Sequence, residues 1–446
     1  MWTEPSLSQW AAAAGGQLVG SDAVITQVST DSRSLSPGDS YVALNGEHFD
    51  GHAYVEAAID QGASALVVEQ EQNTTLPQII VPNTRLALGQ LAGLLRQAFT
   101  GQVVALTGSA GKTSTRAMLQ HIFAQQPGLL ATQGNFNNDI GVPKTWYRIG
   151  AEHRRVLLEL GANAQGEIAW TAGFSQPHVS LLLNASEAHA EGFGGLAGVR
   201  LAKGEIIEGT LPDGYCILNR DDPAFEQWFE RAGSRSVISF GETDQADVRL
   251  LDYETTATGS AFRLLLPAGE LSVSWLMLGR HMAINAAAAA ATAWVAGMSP
   301  EAIREGLASM QPEPGRLQPL PSQHGGLLID DSYNANPASV RAAIEVLSPS
   351  SDDTLLILGD MAELGEDAVS LHAQVGEYAQ GKVRDLWTVG PLSASASASF
   401  GGEHFNSIES LVAALSSRLT KTTAVLVKGS RSAGMERVVE TLKRKP

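Results

Sequence analysis

The residues best suited to chemistry lie in a glycine-rich stretch, Thr107-Gly108-Ser109-Ala110-Gly111-Lys112-Thr113. An apolar run at 103–106 comes before it, and a helical pattern at 113–123 comes after it. Glycines let backbone N–H groups curl around phosphate oxygens, and the start of a helix adds partial positive charge. Lys112 can then reach the β- and γ-phosphates, and the Thr113 hydroxyl can bind Mg²⁺. The stretch predicts an ATP site formed by Gly108, Ser109, Ala110, Gly111, Lys112, Thr113 and Ser114.

This stretch departs from the full P-loop pattern at one position. Leu106 stands where the first glycine is expected, so the predicted turn is shorter than in GTPases. The alternative is a plain strand-to-helix turn. We favour the phosphate loop because strand, glycine, lysine and threonine all coincide.

A carboxylate, Glu159, follows the apolar run 156–158. The carboxyl end of a parallel strand faces the crevice where ligands bind in doubly wound sheets. Mg²⁺ prefers such an oxygen ligand together with phosphates and water, so Glu159 is a candidate metal ligand. The alternative is an ordinary surface glutamate after a strand.

Two further polar segments could contact a substrate. The first, 133–143, contains Asn135, Asn137 and Asn138, whose amides both donate and accept hydrogen bonds. Taken alone, this asparagine cluster is more typical of turns. The second, Lys428-Gly429-Ser430-Arg431, follows the last apolar strand and offers cations to a carboxylate; a charged surface turn is its alternative.

The elements that position these residues predict an α/β protein of three domains. Residues 1–100 mix short apolar runs with helical segments, which indicates a small N-terminal α/β domain. Residues 101–312 show a βαβ rhythm, so the central P-loop domain should contain a mostly parallel sheet. Two prolines and a glycine at 312–315 mark a linker to a C-terminal Rossmann-like α/β domain, 313–446.

Three segments allow more specific predictions. Residues 248–275 alternate as antiparallel strands do and should extend the central sheet at its edge. The alanine-rich segment 283–297 is too short to span a bilayer and predicts a buried helix. Serine and alanine alternate at 393–399, which we interpret as a loop or a helix tip.

Composition excludes several classes of function. The formal net charge is −17, from 30 Lys+Arg and 47 Asp+Glu, which disfavours nucleic acid and anionic membranes as partners. Cys216 is the only cysteine, which excludes an internal disulfide and a cysteine-based metal cage. The first residues lack the basic and apolar regions of a signal peptide. We therefore expect a cytoplasmic protein without a membrane span. We also expect a monomer, which composition does not address.

Several of these motifs together resemble the Mur ligase family and the related folylpolyglutamate synthases. The resemblance starts at the phosphate loop, continues through 133–143 and extends over nearly the whole chain. The segment Asp331-Ser332-Tyr333-Asn334-Ala335-Asn336-Pro337 and the segment 358–365 are similar to the family member that adds D-alanyl-D-alanine. The resemblance implies three α/β domains, which agrees with the element pattern.

The resemblance also implies roles for individual residues. It makes Lys112, His189, Lys203 and Asp331 the catalytic set, with Asp331 holding ribose or metal-bound water. It assigns two Mg²⁺ ions to Thr113, Glu159, His189 and Lys203, where Lys203 matches a lysine that is carbamylated in related ligases. A carbamate would turn its ammonium into an anion able to bind Mg²⁺, although the sequence leaves this modification open.

Further contacts follow from the same resemblance. Asn285 should lie near the adenine, although Met282 stands where asparagine is usual, and Arg316 should contact the ATP phosphates. Residues 30–33 and 46–52 are similar to the family's UDP-binding region, in which Arg33 would pair with the diphosphate. The implied substrate contacts are Ser32, Arg33, Asn137, Asn138, Asn334, Asn336, Lys428 and Arg431.

The implied reaction is an ATP-dependent, ADP-forming ligation. It would join D-alanyl-D-alanine to UDP-N-acetylmuramoyl-tripeptide through an acyl phosphate, as the last cytoplasmic step of peptidoglycan precursor synthesis. ATP and two Mg²⁺ are the expected cofactors, and the two substrates are the expected partners. Residues 1–100 would bind the UDP substrate, 101–312 would bind ATP, and 313–446 would bind the dipeptide.

Three alternatives remain to be distinguished. Another Mur enzyme or a folylpolyglutamate synthase would accept other substrates, and the Tyr333–Asn336 sequence disfavours both. A P-loop switch or transport ATPase would need a guanine-reading Asn-Lys-x-Asp or a docking surface, and the sequence contains no such tetrapeptide. A nucleotide-binding module without catalysis would release no phosphate when both substrates are present.

Overall fold

The structure, a computed structural model, describes residues 4–46, 49–186, 193–256 and 259–444. The chain divides into two compact units. The first contains residues 1–249 and 287–303, and the second contains residues 250–286 and 304–446.

The first unit begins with a small sheet whose strand order is β1-β7-β6-β3-β2, in which β1 is antiparallel to β7 and the other pairs are parallel. The short strands predicted near residues 41, 65 and 79 are confirmed. The elements are α1 (Leu7–Ala13), β1 (Gln17–Val19), β2 (Val28–Ser29), β3 (Ser40–Val42), β4 (Asn45–Gly46), β5 (Phe49–Asp50), α2 (Val55–Asp60), β6 (Ala65–Val68), β7 (Gln78–Ile80) and α3 (Thr84–Ala98).

A larger parallel sheet follows in the same unit, with the order β13-β12-β11-β8-β10-β9. Its elements are β8 (Gln102–Thr107), α4 (Lys112–Phe123), β9 (Leu129–Ala131), α5 (Gly141–Trp146), β10 (Arg155–Glu159), α6 (Glu167–Ser175), β11 (Val179–Leu182), α7 (Leu196–Gly209), β12 (Tyr215–Asn219), α8 (Phe225–Ala232) and β13 (Ser236–Gly241). The chain runs from β8 to the edge strand β9, returns to β10 beside β8, and then crosses to β11 on the other side of β8. The carboxyl ends of β8, β10 and β11 therefore flank a topological switch point, where ligands bind in such folds.

The predicted edge strands are β14 (Val248–Thr256), β15 (Gly259–Leu266) and β16 (Gly269–Trp275). Strands β15 and β16 are antiparallel as expected, but β14 begins parallel to β13. An alternating pattern reports one buried face and not strand direction, which explains this difference. The predicted alanine-rich helix is α9 (Arg280–Val295), followed by α10 (Pro300–Ala308).

The second unit contains a sheet with the order β17-β18-β22-β19-β20-β21, parallel except for β17. Alternate residues of these strands enter two separate cores, one on each face, as in a Rossmann-like sheet. The elements are β17 (Gln318–Pro321), β18 (Leu327–Asp331), α11 (Pro337–Leu347), β19 (Thr354–Gly359), α12 (Ala368–Ala379), β20 (Asp385–Val389), α13 (Ala394–Phe400), β21 (Glu403–Phe405), α14 (Ile408–Arg418), β22 (Ala424–Lys428) and α15 (Glu436–Leu442).

The predicted fold class is confirmed: a small N-terminal α/β region, a central mostly parallel sheet and a C-terminal Rossmann-like sheet. The interpretation of 393–399 as a loop or helix tip was wrong, because α13 covers most of it. In the described part of the chain, no helix combines the length and apolarity that a bilayer span requires.

Candidate active site

The glycine-rich stretch forms a turn between β8 and α4, as predicted. Gly111 has a φ of +82° immediately before the helix, a conformation that favours glycine. A Cβ on Gly108 would lie 2.9 Å from the Cβ of Leu183. No side chain caps the N-terminus of α4 in the described structure, so its first N–H groups remain available to an anion.

Asn184, which follows β11, fixes the shape of this loop. Its Oδ1 accepts from the Ala110 amide at 2.9 Å, and its Nδ2 donates to the Ala110 carbonyl at 3.2 Å. The Ser109 amide donates to the Asn184 carbonyl at 3.0 Å, and the Ser109 hydroxyl accepts from the Ser186 amide at 3.0 Å. The loop is therefore held in position by protein contacts alone.

Lys112 lies in the first turn of α4, beside the half-buried Ser114. Its Nζ donates to the carbonyl of Gly108 at 2.6 Å, and among the described residues no carboxylate pairs with it. Burial lowers the pKa of Lys112, and the charge of Glu159 partly opposes this effect. The ammonium is thus partly desolvated and lacks a full counter-charge, which is a favourable state for binding phosphate.

The structure brings Glu159, Thr113 and Asn137 together. Glu159 ends β10 and is only 1% exposed. Its Oε1 accepts from Nδ2 of Asn137 at 2.9 Å and lies 3.4 Å from the Thr113 hydroxyl. The Glu159 amide donates to the Thr132 hydroxyl at 3.0 Å. This places a carboxylate directly beside the start of α4.

Asn138 does not join this group. Its Oδ1 accepts from the Gly141 amide at 2.8 Å and shapes the start of α5. The adjacent Asp139 pairs with Arg85 of α3, with a distance of 2.8 Å from Nη2 to Oδ1. These contacts fix the asparagine-rich segment at Asn138 and Asp139.

Lys203 lies on α7 and is buried, with its Nζ 5.2 Å from the centre of the Phe193 ring. Burial lowers the pKa of Lys203 to about 8; the charge of Lys112 adds to this effect, and Glu167 and Glu205 oppose it. His189, the partner predicted for a second metal, lies outside the described residues.

The donors around Glu159 suit Mg²⁺ bound together with nucleotide phosphates. Among the described residues, no three His, Cys, Asp or Glu side chains form a metal-holding group. Mg²⁺ needs no such cage, since it usually takes one or two protein carboxylates and completes its shell with phosphates and water. Oε1 of Glu159 and the Thr113 hydroxyl would hold it, while Oε2 of Glu159 is buried without a hydrogen bond and lies 3.3 Å from Nη1 of Arg116.

In the second unit, the ends of β18 and β22 form a buried ion pair. Lys428 donates through Nζ to Oδ2 of Asp331 at 2.6 Å and to the carbonyl of Asn334 at 2.9 Å. Oδ1 of Asp331 accepts from the Leu317 amide at 3.1 Å. Burial raises the pKa of Asp331, and Lys428 opposes this rise.

The other predicted site residues of the second unit make different contacts. Arg316 stacks on the Tyr333 ring, 4.4 Å from its centre, and pairs with Glu313 at 3.2 Å. Asn336 caps α11 by accepting from the Ser339 amide at 2.8 Å. The remaining predicted residues of this unit are Asn334, whose Oδ1 accepts from the Ala335 amide, the exposed Arg431 and Asn285, which is buried in α9.

The predicted diphosphate contact, Arg33, is fully accessible but has a partner. It donates to both carboxylate oxygens of Asp31, at 2.9 and 2.8 Å, while Ser32 is buried. The Arg33 hydrogen bonds lower the pKa of Asp31 to about 2. A diphosphate would have to compete with Asp31 for this guanidinium.

Three Mur ligase family models match this chain over most of its length. Residues 24–95 match the catalytic domain of the Mur ligase family, 106–293 match the Mur ligase middle domain, and 315–431 match the Mur ligase glutamate ligase domain. The chain is 43% identical over 442 residues to the UDP-N-acetylmuramoyl-tripeptide–D-alanyl-D-alanine ligase of Escherichia coli K12, which covers 98% of both chains. The chain belongs to the Mur ligase family.

Other Mur ligases match over nearly the same length. The ligase of the same name from Bacillus subtilis is 31% identical, covering 95% of this chain and 94% of that one. A crystal structure of MurF from Acinetobacter baumannii superposes with a TM-score of 0.86 at 35% identity and covers 97% of both chains. MurF from Thermotoga maritima in complex with ADP gives a TM-score of 0.81 at 26% identity, with 93% and 96% covered.

Sequence reasoning about this Mur ligase missed the residues that hold its site in place. Arg116, on α4, donates to the Gly134 carbonyl at 2.7 Å and lies 3.3 Å from Oε2 of Glu159. Asn184 and Arg85 had no predicted role in the site. The position of Arg116 could have indicated its role, because it lies one helical turn after Thr113 and on the same face of the helix.

Proposed function

We propose that this chain joins D-alanyl-D-alanine to UDP-N-acetylmuramoyl-tripeptide with conversion of ATP to ADP and phosphate. The terminal carboxylate of the tripeptide attacks the γ-phosphorus and forms an acyl phosphate, releasing ADP. The amine of D-alanyl-D-alanine then attacks the acyl carbon, and phosphate leaves. The observation that carries this proposal is the phosphate loop beside Glu159, followed by a helix with no side-chain cap. It occurs in a chain 43% identical to the UDP-N-acetylmuramoyl-tripeptide–D-alanyl-D-alanine ligase of Escherichia coli K12.

The first unit supplies charge neutralisation. The loop amides and Lys112 bind the phosphates, and Thr113 with Glu159 holds a Mg²⁺ that offsets phosphate charge when bound. Preorganised donors stabilise the transition state because they need no reorganisation as charge shifts. Asn137, fixed to Glu159, and Asn138 complete the surface that meets the tripeptide.

Lys203 is proposed to carry a carbamate and, with His189, to contribute to a second Mg²⁺ site. Carbon dioxide adds to a neutral amine, and a pKa of about 8 makes the neutral form accessible near physiological pH. Lys112 lies close enough to lower the pKa of Lys203 by its charge. An anionic carbamate at Lys203 would attract Lys112, whereas an ammonium repels it.

The second unit is proposed to bind the dipeptide and part of the nucleotide. Lys428 and Arg431 bind the dipeptide carboxylate, and Asn334 and Asn336 contact the rest of the incoming dipeptide. Arg316 contacts the ATP phosphates, Asn285 lies near the adenine, and Asp331 holds the ribose or metal-bound water. Residues 1–100, with Ser32 and Arg33, are proposed as the UDP-binding domain, 101–312 as the ATP domain and 313–446 as the dipeptide domain. We propose that the enzyme works as a cytoplasmic monomer.

The decisive experiment follows phosphate release from ATP with the tripeptide substrate, with and without D-alanyl-D-alanine. We expect release to depend strictly on the dipeptide. With ¹⁸O in the tripeptide carboxylate, one labelled oxygen should appear in inorganic phosphate. Inorganic phosphate that carries no label would exclude the acyl phosphate, and release without any peptide product would indicate a nucleotide hydrolase.

A further inference from the structure

Arg116 joins three parts of the first unit. It belongs to α4, its Nη1 donates to the carbonyl of Gly134 at 2.7 Å, and the same nitrogen lies 3.3 Å from Oε2 of Glu159. The side chain is 8% exposed and that of Glu159 is 2% exposed. A buried guanidinium therefore connects the phosphate-binding helix, the asparagine-rich segment and the candidate metal ligand.

The two carboxylate oxygens of Glu159 have different surroundings. Oε1 accepts from Asn137 and lies 3.4 Å from the hydroxyl of Thr113. Oε2 is enclosed and accepts no hydrogen bond from the described residues, and Nη1 of Arg116, at 3.3 Å, is the cationic group that the described structure places in contact with it. Burying a charged oxygen without a positive neighbour is unfavourable, and Arg116 therefore stabilises the orientation in which Oε1 faces Thr113.

We propose that Arg116 is a positioning residue that restricts Glu159 to a single metal-facing oxygen and thereby favours Mg²⁺ over Ca²⁺. The proposal rests on the proposed metal role of Glu159. Mg²⁺ requires near-octahedral geometry, and the two closely spaced oxygens of one carboxylate span adjacent octahedral positions only with strain. Ca²⁺ has longer bonds and more ligands, and it accepts a carboxylate through both oxygens. Without Arg116, Glu159 becomes free to turn both oxygens toward the ion.

The test is ADP affinity, measured by isothermal titration calorimetry in EDTA, in Mg²⁺ and in Ca²⁺. Arg116→Met should lower the ratio of Mg²⁺-supported to Ca²⁺-supported affinity by about tenfold, the scale typical of residues that orient metal ligands. Affinity in EDTA should stay the same. Arg116→Lys, which retains the charge, should keep most of the ratio.

Arg85→Met is the matched control. Arg85 holds the same asparagine-rich segment through Asp139 but does not contact Glu159. Loosening that segment alone should leave the ratio unchanged. If Arg116→Met also leaves it unchanged, or if Arg85→Met lowers it equally, the proposal is wrong and Arg116 only supports the segment.

Two further outcomes are informative. If Arg116→Met lacks a cooperative thermal transition, Arg116→Gln takes its place, because it retains a donor for the Gly134 carbonyl without the charge and should lower the ratio similarly. If the wild-type ADP affinity does not depend on Mg²⁺, the metal role of Glu159 fails. That result is distinct from a normal Mg²⁺ dependence that Arg116 does not affect.

Discussion

Helices α4 and α11 each follow a strand and a loop that contains predicted site residues, but their N-termini differ. Helix α4 starts after the left-handed Gly111 and has no side-chain cap among the described residues. Helix α11 starts with a capping box, in which Asn336 and Ser339 satisfy each other's backbone amides, followed by Pro337. Free N–H groups require an external acceptor, so α4 is built to receive an anion and α11 is complete without one.

The lysines near the predicted sites of the two units differ in the same way. Lys428 has a carboxylate partner in Asp331 at 2.6 Å. Lys112 bonds to a backbone carbonyl, and Lys203 lies against an aromatic ring. Charge is therefore balanced within the second unit but left positive around the phosphate loop. A chain with a net charge of −17 concentrates cations where an anionic substrate must bind.

The largest expected effect follows from removing the unbalanced charge. Lys112→Ala should reduce kcat/KM for ligation by about 10³-fold or more, comparable to the loss of a preorganised charge-stabilising donor. The thermal transition should change little, because the lysine has no buried carboxylate to leave unpaired. Circular dichroism controls for folding. Retention of more than a tenth of wild-type activity would mean that Lys112 does not bind the transferred phosphate.

In the second unit, removal of the charge of Lys428 should mainly lower the free energy of unfolding. Lys428→Met leaves Asp331 buried without its partner, which costs about 3–5 kcal/mol in comparable pairs. Since the pKa of Asp331 is already raised by burial, loss of Lys428 should raise it further. The folded state then holds a proton that the unfolded state releases, so the variant should lose stability as pH rises from about 4 toward neutrality.

Urea unfolding at pH 5 and pH 8 measures this loss. The double variant Lys428→Met with Asp331→Asn removes both charges and should recover much of the stability. Equal destabilisation of the single and double variants would show that packing, and not charge balance, dominates at this pair.

Lys203 tests whether the excess positive charge in the first unit is altered by modification. Lys203→Ala should lower kcat by about 10–100-fold, the range for residues that support a metal site. In wild type, ¹³C-bicarbonate should give a carbamate signal that grows as pH rises through about 8, because the neutral amine reacts. Lys203→Arg keeps the positive charge but cannot react in this way. If it retains full activity, no carbamate is required.

The sequence predicted those parts of the site whose signals are local. Gly111, Lys112 and Thr113 are consecutive and come shortly after a strand, and Glu159 ends a strand of its own. Arg116 and Asn184 escaped prediction because their partners, Gly134 and Ala110, lie 18 and 74 positions away. Helix α13 was not predicted because its packing partner, α12, is also distant from its local sequence pattern.

The serine–alanine alternation of α13 offers no helical apolar stripe, but its small residues allow close packing against α12. A Cβ on Gly376 would lie 2.1 Å from the Ala396 carbonyl, so glycine is needed at this contact. Tertiary packing, which a single sequence does not reveal, here overrides the local pattern.

The smallest expected effect concerns the capped N-terminus of α11. Asn336→Ala removes its cap and should lower the free energy of unfolding by about 1 kcal/mol. Asn336→Ser preserves a capping side chain and should restore most of that stability. If Asn336 also contacts the dipeptide, both variants should raise the KM for D-alanyl-D-alanine by severalfold, because serine is too short to replace the amide. If Asn336→Ser restores KM as well as stability, capping is its whole contribution, and the dipeptide is recognised by Asn334, Lys428 and Arg431 without it.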